Sequence, residues 1–211
     1  MNPLSLVSVG AGLVLLPFLS QPNSTKGEPR YVGSKVCKNC HTGADKGNAY
    51  GIWEKTKHAQ AFANLGSDQA KKIAKEKGIE DPQKDGKCLK CHVAAYGVDE
   101  KLIKRGFKME DGVQCEACHG PGEEHFKNRM KDAAKPGSLR IQDGEIRNLG
   151  RTMELCGKCH NPESPVYQPF CLKERMQKIE HLDPRKKRTE EEIKKLRETD
   201  AKDCEVCKAK K

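Results

Sequence analysis

The longest uncharged and mostly apolar run of the chain spans residues 3–20, and the polar stretch QPNSTKGEPR follows it directly. This pattern predicts an export signal or an N-terminal membrane anchor at the short end of bilayer-spanning length. No Lys or Arg precedes the run, and no small-residue cleavage site is obvious near Ser20. Both a cleaved signal and an uncleaved anchor therefore fit. We expect an exported protein, periplasmic or otherwise extracytoplasmic, that is associated with the membrane if residues 3–20 are retained.

Beyond this run, apolar residues recur at helical rather than strand spacing. Residues 48–65 predict a helix because Ile52, Ala59 and Ala63 share one face. A second helix is predicted over residues 172–181, after the proline-rich turn NPESPVYQPF. In the charged tail, Thr189 and Glu192 form a capping box for a short helix. The chain is therefore predicted to be mainly α-helical and rich in loops.

The same patterns divide the chain into four segments. Residues 1–20 are the signal peptide or anchor, and residues 21–34 are a linker. Residues 35–183 form the predicted folded domain, and residues 184–211 form a charged helical tail. The tail is dominated by Lys, Arg and Glu, so we interpret it as a solvated surface helix.

The composition is unusual for a globular domain. Only 35% of residues are hydrophobic and 5% aromatic, whereas 33% are charged and 11 residues are cysteines. Ordinary domains contain about 45–50% apolar residues, counted with glycine. Charges of both signs and grouped cysteines argue against plain disorder. Something other than aliphatic side chains must therefore supply part of the core.

The grouping of the cysteines indicates what that is. Four Cys-x-x-Cys-His motifs are present: Cys37, Cys40 and His41; Cys88, Cys91 and His92; Cys115, Cys118 and His119; Cys156, Cys159 and His160. This is the attachment signature of c-type haem, in which two thiols bond the haem vinyl groups and the adjacent histidine becomes the proximal iron ligand. Zinc sites and disulfides are the alternatives, but neither requires a histidine after each pair. Only 7 of the 211 residues are histidine, so four such placements by chance are improbable.

Four covalently attached haem c groups would also explain the composition. Each macrocycle is a large apolar plate around which the chain can fold. The sequence therefore predicts a multihaem cytochrome c fold organised around four haems, and a haem-free chain that is largely unfolded.

Three histidines, His58, His125 and His181, remain as candidate distal iron ligands. Four haems would need four, so at least one iron has another sixth ligand or none. His125 follows His119 by six residues, which advance about 9 Å in a helix, whereas two ligands on opposite haem faces have Cα atoms roughly 12 Å apart. His125 is therefore expected to serve a different haem from His119. His181 is far enough from His160 to reach around the same haem.

The order CKNCH, Trp53-x-x-x-x-His58-Ala59, CLKCH, CEACHGPGEEH and CGKCHNPESP closely resembles the tetrahaem cytochrome c-554 family, over roughly residues 36–181. The resemblance implies stacked haem pairs in a helical, loop-rich fold that accepts electrons from hydroxylamine oxidation. It implies that His125 is distal to the haem of His41, His58 to that of His119, and His181 to that of His160. The haem of His92 would then be five-coordinate and high-spin.

Two functions follow from this reading. The first is a non-catalytic carrier that moves electrons between extracytoplasmic redox partners, and it needs no catalytic residues. The second is a reductase for nitric oxide or a similar nitrogen oxide at the haem of His92. That alternative requires that Met109, Met130, Met153 or a lysine does not occupy the sixth position. A third hypothesis, a subunit of a conductive haem filament, has no specific residue in its favour.

The chain is basic, with a formal net charge of +10. Haem propionates would reduce that charge but leave it positive, so we expect redox partners with acidic docking surfaces. Nucleic-acid binding is disfavoured because no recognition motif accompanies the charge. The segment Cys204-x-x-Cys207-Lys208 resembles a haem motif with Lys in place of His. A disulfide, which Cys171 could join by exchange, is the favoured interpretation over a fifth haem.

Overall fold

The structure, a computed structural model, describes residues 27–135, 153–182 and 187–196. The predicted export segment, the first part of the linker, Cys204 and Cys207 lie outside these residues. Within the described ranges, no helix is both long enough and apolar enough to cross a bilayer.

Short helices joined by loops make up the described chain, as the sequence predicts. The α-helices are α1 (Ser34–His41), α2 (Ala49–Glu54), α3 (Ala61–Asn64), α4 (Asp68–Glu76), α5 (Gly86–His92), α6 (Cys115–His119), α7 (Glu123–Ala134), α8 (Met153–Gly157), α9 (Leu172–Met176) and α10 (Glu190–Leu196). Single 3-10 turns occur at Ala44–Lys46, Glu100–Leu102 and Met109–Asp111. In the part of the chain that the structure describes there is no β-strand, and only an isolated bridge joins Tyr31 to Ile103.

Every Cys-x-x-Cys-His motif lies on one of these helices or in the turn that ends it. Helices α1, α5 and α6 end at the motif histidine, and α8 continues as a turn in which the His160 N–H donates to the Cys156 carbonyl at 2.8 Å. In helical geometry, residues three and four apart share a face, so both thiols and the imidazole point the same way. After α6 the chain turns sharply at Gly120, whose φ of 74° favours glycine.

Buried apolar side chains are few among the residues that the structure describes. Leu65, Leu89 and Val93 form a buried cluster, with Phe62 and Cys88 packed against it. This cluster adjoins the second motif, because Leu89 lies between Cys88 and Cys91. The other buried apolar residues are separate from it and include several alanines. The described structure thus has the weak aliphatic core that the composition predicts.

Two predicted helices are shorter than expected. Residues 48–65 form α2 and α3 rather than one helix, and His58 lies in the turn between them. The Thr56 hydroxyl donates to the Trp53 carbonyl at 2.7 Å, and the Val113 N–H donates to the His58 carbonyl at 2.9 Å. These bonds compete with helical ones, which explains the break.

The second correction concerns the helix predicted over residues 172–181. Helix α9 ends at Met176, and His181 follows in an irregular segment. Its ring Nδ1 lies 3.0 Å from the Ile179 carbonyl oxygen. His181 is therefore positioned by a turn rather than by the last turn of a helix.

The capping box in the tail is confirmed. The Glu192 N–H donates to the Thr189 hydroxyl at 3.2 Å, and the Thr189 N–H donates to the Glu192 carboxylate at 2.7 Å.

Cys171 is buried and disulfide-bonded. Cys171 is therefore part of a disulfide in the folded protein, whereas the sequence indicated only that it could join one by exchange.

Candidate haem centres

Six of the seven histidines form three facing pairs. The ring centres are 6.3 Å apart for His41 and His125, 6.0 Å for His58 and His160, and 5.9 Å for His119 and His181. Two imidazoles that bind one metal ion from opposite sides have ring centres about 6 Å apart, because a metal–nitrogen bond is about 2 Å long. Each pair joins a motif histidine to one of the three extra histidines. The donor set therefore fits an iron held between two imidazoles at three of the four motifs.

The pairing of His41 with His125 agrees with the resemblance and with the spacing argument that separates His125 from His119. The other two expected pairs are wrong. The structure places His58 against His160 and His181 against His119, the reverse of what the resemblance implies.

Tertiary contacts explain this exchange. The ring of Phe170 packs on His160, with ring centres 5.3 Å apart. The Lys90 ammonium lies 2.7 Å from Glu163, so the loop after the fourth motif lies near the second motif. His181 instead lines a cavity together with the first and third motifs. The fourth motif therefore lies beside His58, and the third motif lies beside His181.

That cavity has a volume of about 230 Å³ and joins two candidate haem centres. Both facing pairs of the first and third motifs line it, together with Cys37, Cys40, Cys115, Val32, Val36, Ala49, Glu116, Gly120, Gly122, Phe126 and Arg129. An apolar cavity with paired imidazoles and motif thiols in its wall has the donors that haem c needs.

In the described chain, the second motif has no second histidine opposite its motif histidine, unlike the other three motifs. His92 has its ring Nδ1 2.7 Å from the Ala61 carbonyl oxygen, which favours the tautomer with hydrogen on Nδ1 and leaves Nε2 as the metal-binding nitrogen. All seven histidines lie in the described ranges and the other six are paired with one another, so none faces His92. Of the alternative ligands, Met109 and Met130 have exposed side chains, and Met153 begins α8.

Thiols of different motifs approach one another. Cys37 of the first motif lies within hydrogen-bonding reach of Cys115 of the third, and Cys91 of the second lies within reach of Cys159 of the fourth. Cys118 and Cys156 also interact electrostatically, which links the third motif to the fourth. The motifs are therefore neighbours in a defined order: first, third, fourth, second.

The described thiols do not resemble a zinc site. The eight motif cysteines carry thiols rather than disulfides, and no group of three or more potential metal-binding side chains converges among the residues that the structure describes. Burial raises the pKa of Cys118 to about 11 and that of Cys159 to about 12, so both are protonated thiols at neutral pH. Tetrahedral zinc sites use converging thiolates.

The paired histidines are suited to bind iron. Burial lowers the pKa of His58, with a smaller effect from His160, and burial also lowers the pKa of His160. Both rings therefore favour the neutral form, which carries the nitrogen lone pair that a metal needs.

Three residues of these centres were not singled out from the sequence. Phe170 packs on His160, Arg129 lines the cavity, and the buried Glu116 accepts hydrogen bonds from backbone N–H groups. Burial raises the pKa of Glu116, and those N–H groups oppose the shift. For Arg129 a signal was available, because it follows His125 by one helical turn and shares its face. Phe170 and Glu116 carry no comparable local signal.

Comparisons with known proteins agree with this description. Residues 36–120 match the family model described as cytochrome c554 and c-prime. The chain is 31% identical over 175 residues to cytochrome c-554 of Nitrosomonas europaea, which covers 73% of this chain and 68% of that protein. No solved structure matches. The chain belongs to the cytochrome c-554 family, and it is a multihaem c-type cytochrome of electron transfer with covalently attached haem c.

Proposed function

We propose that this protein is a four-haem electron carrier that works between extracytoplasmic redox partners. The observation that carries the proposal is the set of three facing histidine pairs, each of which includes one motif histidine. A carrier needs iron centres that change oxidation state with little rearrangement, and two protein ligands on each iron favour this.

We assign the motif cysteines and the histidines to four haem centres. Cys37 and Cys40 would hold the first haem, between His41 and His125, and Cys88 and Cys91 the second, on His92. Cys115 and Cys118 would hold the third haem, between His119 and His181, and Cys156 and Cys159 the fourth, between His160 and His58. Bound haem supplies an iron that exchanges single electrons, with no need for an acid, base or nucleophile. The chain orients the ligands and excludes water.

The order of the motifs supports an internal electron path. The close approach of Cys37 to Cys115 and of Cys91 to Cys159, together with the electrostatic interaction of Cys118 with Cys156, links successive centres. Haem pairs formed by the first and third motifs and by the second and fourth motifs are consistent with this order.

Mass spectrometry combined with electron paramagnetic resonance (EPR) of the mature protein tests the proposal. We expect a mass increase of four haems, three low-spin centres and one high-spin centre. A count of two haems, or low-spin centres that persist when His58, His125 and His181 are all replaced, would contradict the assignment. The same mass reports whether residues 1–20 are removed, as a cleaved signal requires, and whether Cys204 and Cys207 carry a fifth haem.

Partner docking is expected to depend on charge. The net charge of +10 favours acidic redox partners, and their association should weaken as salt rises. A rate of electron exchange that is independent of ionic strength would argue against this. The filament hypothesis stays a prediction, and a monomeric elution volume on gel filtration would contradict it.

A second candidate function is reduction of a small nitrogen oxide at the second centre. The observation in its favour is that no histidine faces His92 in the described chain, whereas the other motif histidines are all faced by one. With an excess of added reductant, nitric oxide should then bind at one high-spin haem and be consumed over repeated turnovers. Binding without turnover would leave the carrier as the function.

A further inference from the structure

The buried side chain of Glu116 links the third motif to the segments around the first, but it is not an expected iron ligand of either haem. It occupies the first variable position of the third motif, directly after Cys115, and only 3% of its surface is exposed. A charged residue at such depth is costly unless its oxygens are fully hydrogen-bonded.

Three backbone N–H groups provide those hydrogen bonds. Val32 and Gly122 donate to Oε1 at 2.9 and 2.7 Å, and Gly33 donates to Oε2 at 2.8 Å. The three donors come from two segments that are far apart in sequence. One carboxylate therefore fixes the distance between these segments.

Both segments lead into the first haem centre. Gly33 is the N-cap of α1, which ends at His41, and Gly122 is the N-cap of α7, in which His125 is the third residue. The Glu116 carboxylate thus holds the starting points of the two helices whose histidines face each other at 6.3 Å.

The surrounding structure leaves the first segment little room to shift. Gly33 has a φ of 90°, and a Cβ atom there would lie 2.9 Å from the Phe107 Cα atom. The Ser34 N–H donates to the Gln114 side chain at 2.7 Å, so three successive N–H groups are held by side chains from residues 114 and 116. The start of α1 is therefore held by side chains at the beginning of the third motif and just before it.

We infer that Glu116 is a positioning residue for the first haem: it sets the separation of His41 and His125 and so keeps that iron six-coordinate. The inference rests on the proposed ligand pair of the first centre. A residue between the two cysteines of the third motif would thus help to position the iron ligands of the first motif's haem.

The test uses the mature holoprotein and compares Glu116→Ala and Glu116→Gln with Glu124→Gln. Glu124 is a matched control because it lies in the same CEACHGPGEEH segment but its side chain is partly exposed. Alanine removes all three acceptor contacts. Glutamine keeps one acceptor oxygen and turns an NH2 group toward a backbone N–H, so it is the milder variant should the alanine variant fail to accumulate.

The readouts are the haem count by mass and the spectroscopically measured binding of added imidazole beyond the one equivalent that the open second haem would take in every variant. A buried N–H without an acceptor shifts a local equilibrium by about tenfold or more. We therefore expect all four haems to be retained, while the fraction of one low-spin haem that opens and binds imidazole rises about tenfold or more in Glu116→Ala. The Glu116→Gln variant should show a smaller rise and Glu124→Gln none.

His125→Ala identifies which haem responds. It should open one haem completely, and the double variant with Glu116→Ala should open the same one and no more. If His125→Ala opens no haem, the proposed ligand pair is wrong and the inference falls with it. If His125→Ala opens one haem but neither Glu116 variant does, or if the double variant opens two, the ligand pair stands and the role of Glu116 is refuted.

Discussion

The first and second candidate haem centres begin from the same five-residue motif but are held in different ways. Around the first motif, carboxylates of residues 116 and 123 bind backbone and basic groups, and His125 faces His41. Around the second motif, apolar side chains pack together, a single hydrogen bond orients His92, and no histidine of the described chain faces it. With haem attached as proposed, the motif would decide where each haem binds, whereas the surroundings would decide whether a second histidine reaches the iron.

Removing haem should have the largest effect, and it should affect both centres. The buried apolar residues are too few to hold the helices without the macrocycles. We expect haem-free protein, produced without maturation enzymes, to lack a cooperative thermal transition by circular dichroism. A sharp transition would show that the carboxylate contacts and the Leu65 cluster suffice, and would overturn our view of the core.

The second largest effect should come from truncating a buried side chain beside the second motif. Leu89→Ala removes a side chain that is only 4% exposed from the cluster with Leu65 and Val93, so it should lower the free energy of unfolding by about 2–5 kcal/mol. Denaturant unfolding of the holoprotein measures this. Val166→Ala, at a position 57% exposed, is the control and should change little. Equal effects of the two variants would mean that the cluster does not stabilise this centre.

Loss of the carboxylate at residue 123 should have a moderate effect confined to the first centre. The Glu123 side chain is 5% exposed and bonds Arg30 through both oxygens, with Lys104 nearby at 3.1 Å. Glu123→Gln removes the charge that these basic groups face, and we expect the melting temperature to fall by about 2–4 °C. Calorimetry against Glu124→Gln tests this. An EPR change in Glu123→Gln at the second centre, with none at the first, would contradict the division between the centres.

The surface ion pair between the second and fourth motifs should contribute least. Lys90 and Glu163 are 2.7 Å apart, but their side chains are 51% and 73% exposed. Exposed pairs are screened by water and salt, so Lys90→Ala should unfold with the same midpoint as Lys87→Ala, a neighbouring exposed lysine. A clear drop for Lys90→Ala alone would show that this pair, and not only packing on His160, holds the fourth motif in place.

Much of the site could be predicted from the sequence because its chemistry is local. The spacing of Cys115, Cys118 and His119 puts two thiols and an imidazole on one helical face wherever the helix lies in the fold. The separation of His125 from His119 also followed from helix geometry alone. Helix ends were less predictable: the break at His58 depends on a hydrogen bond from Val113, which is distant in sequence.

The sequence by itself determined the kind of cofactor, the number of motifs and the shortage of distal histidines, because each depends on residue type and on spacing within one turn. Only the tertiary structure decided which histidine faces which. His58 and His181 each had more than one motif within reach of a flexible chain, and the choice between His119 and His160 depends on long-range packing by residues such as Phe170. The role inferred for Glu116 is of the same kind, since its three hydrogen-bond donors meet only after the chain has folded.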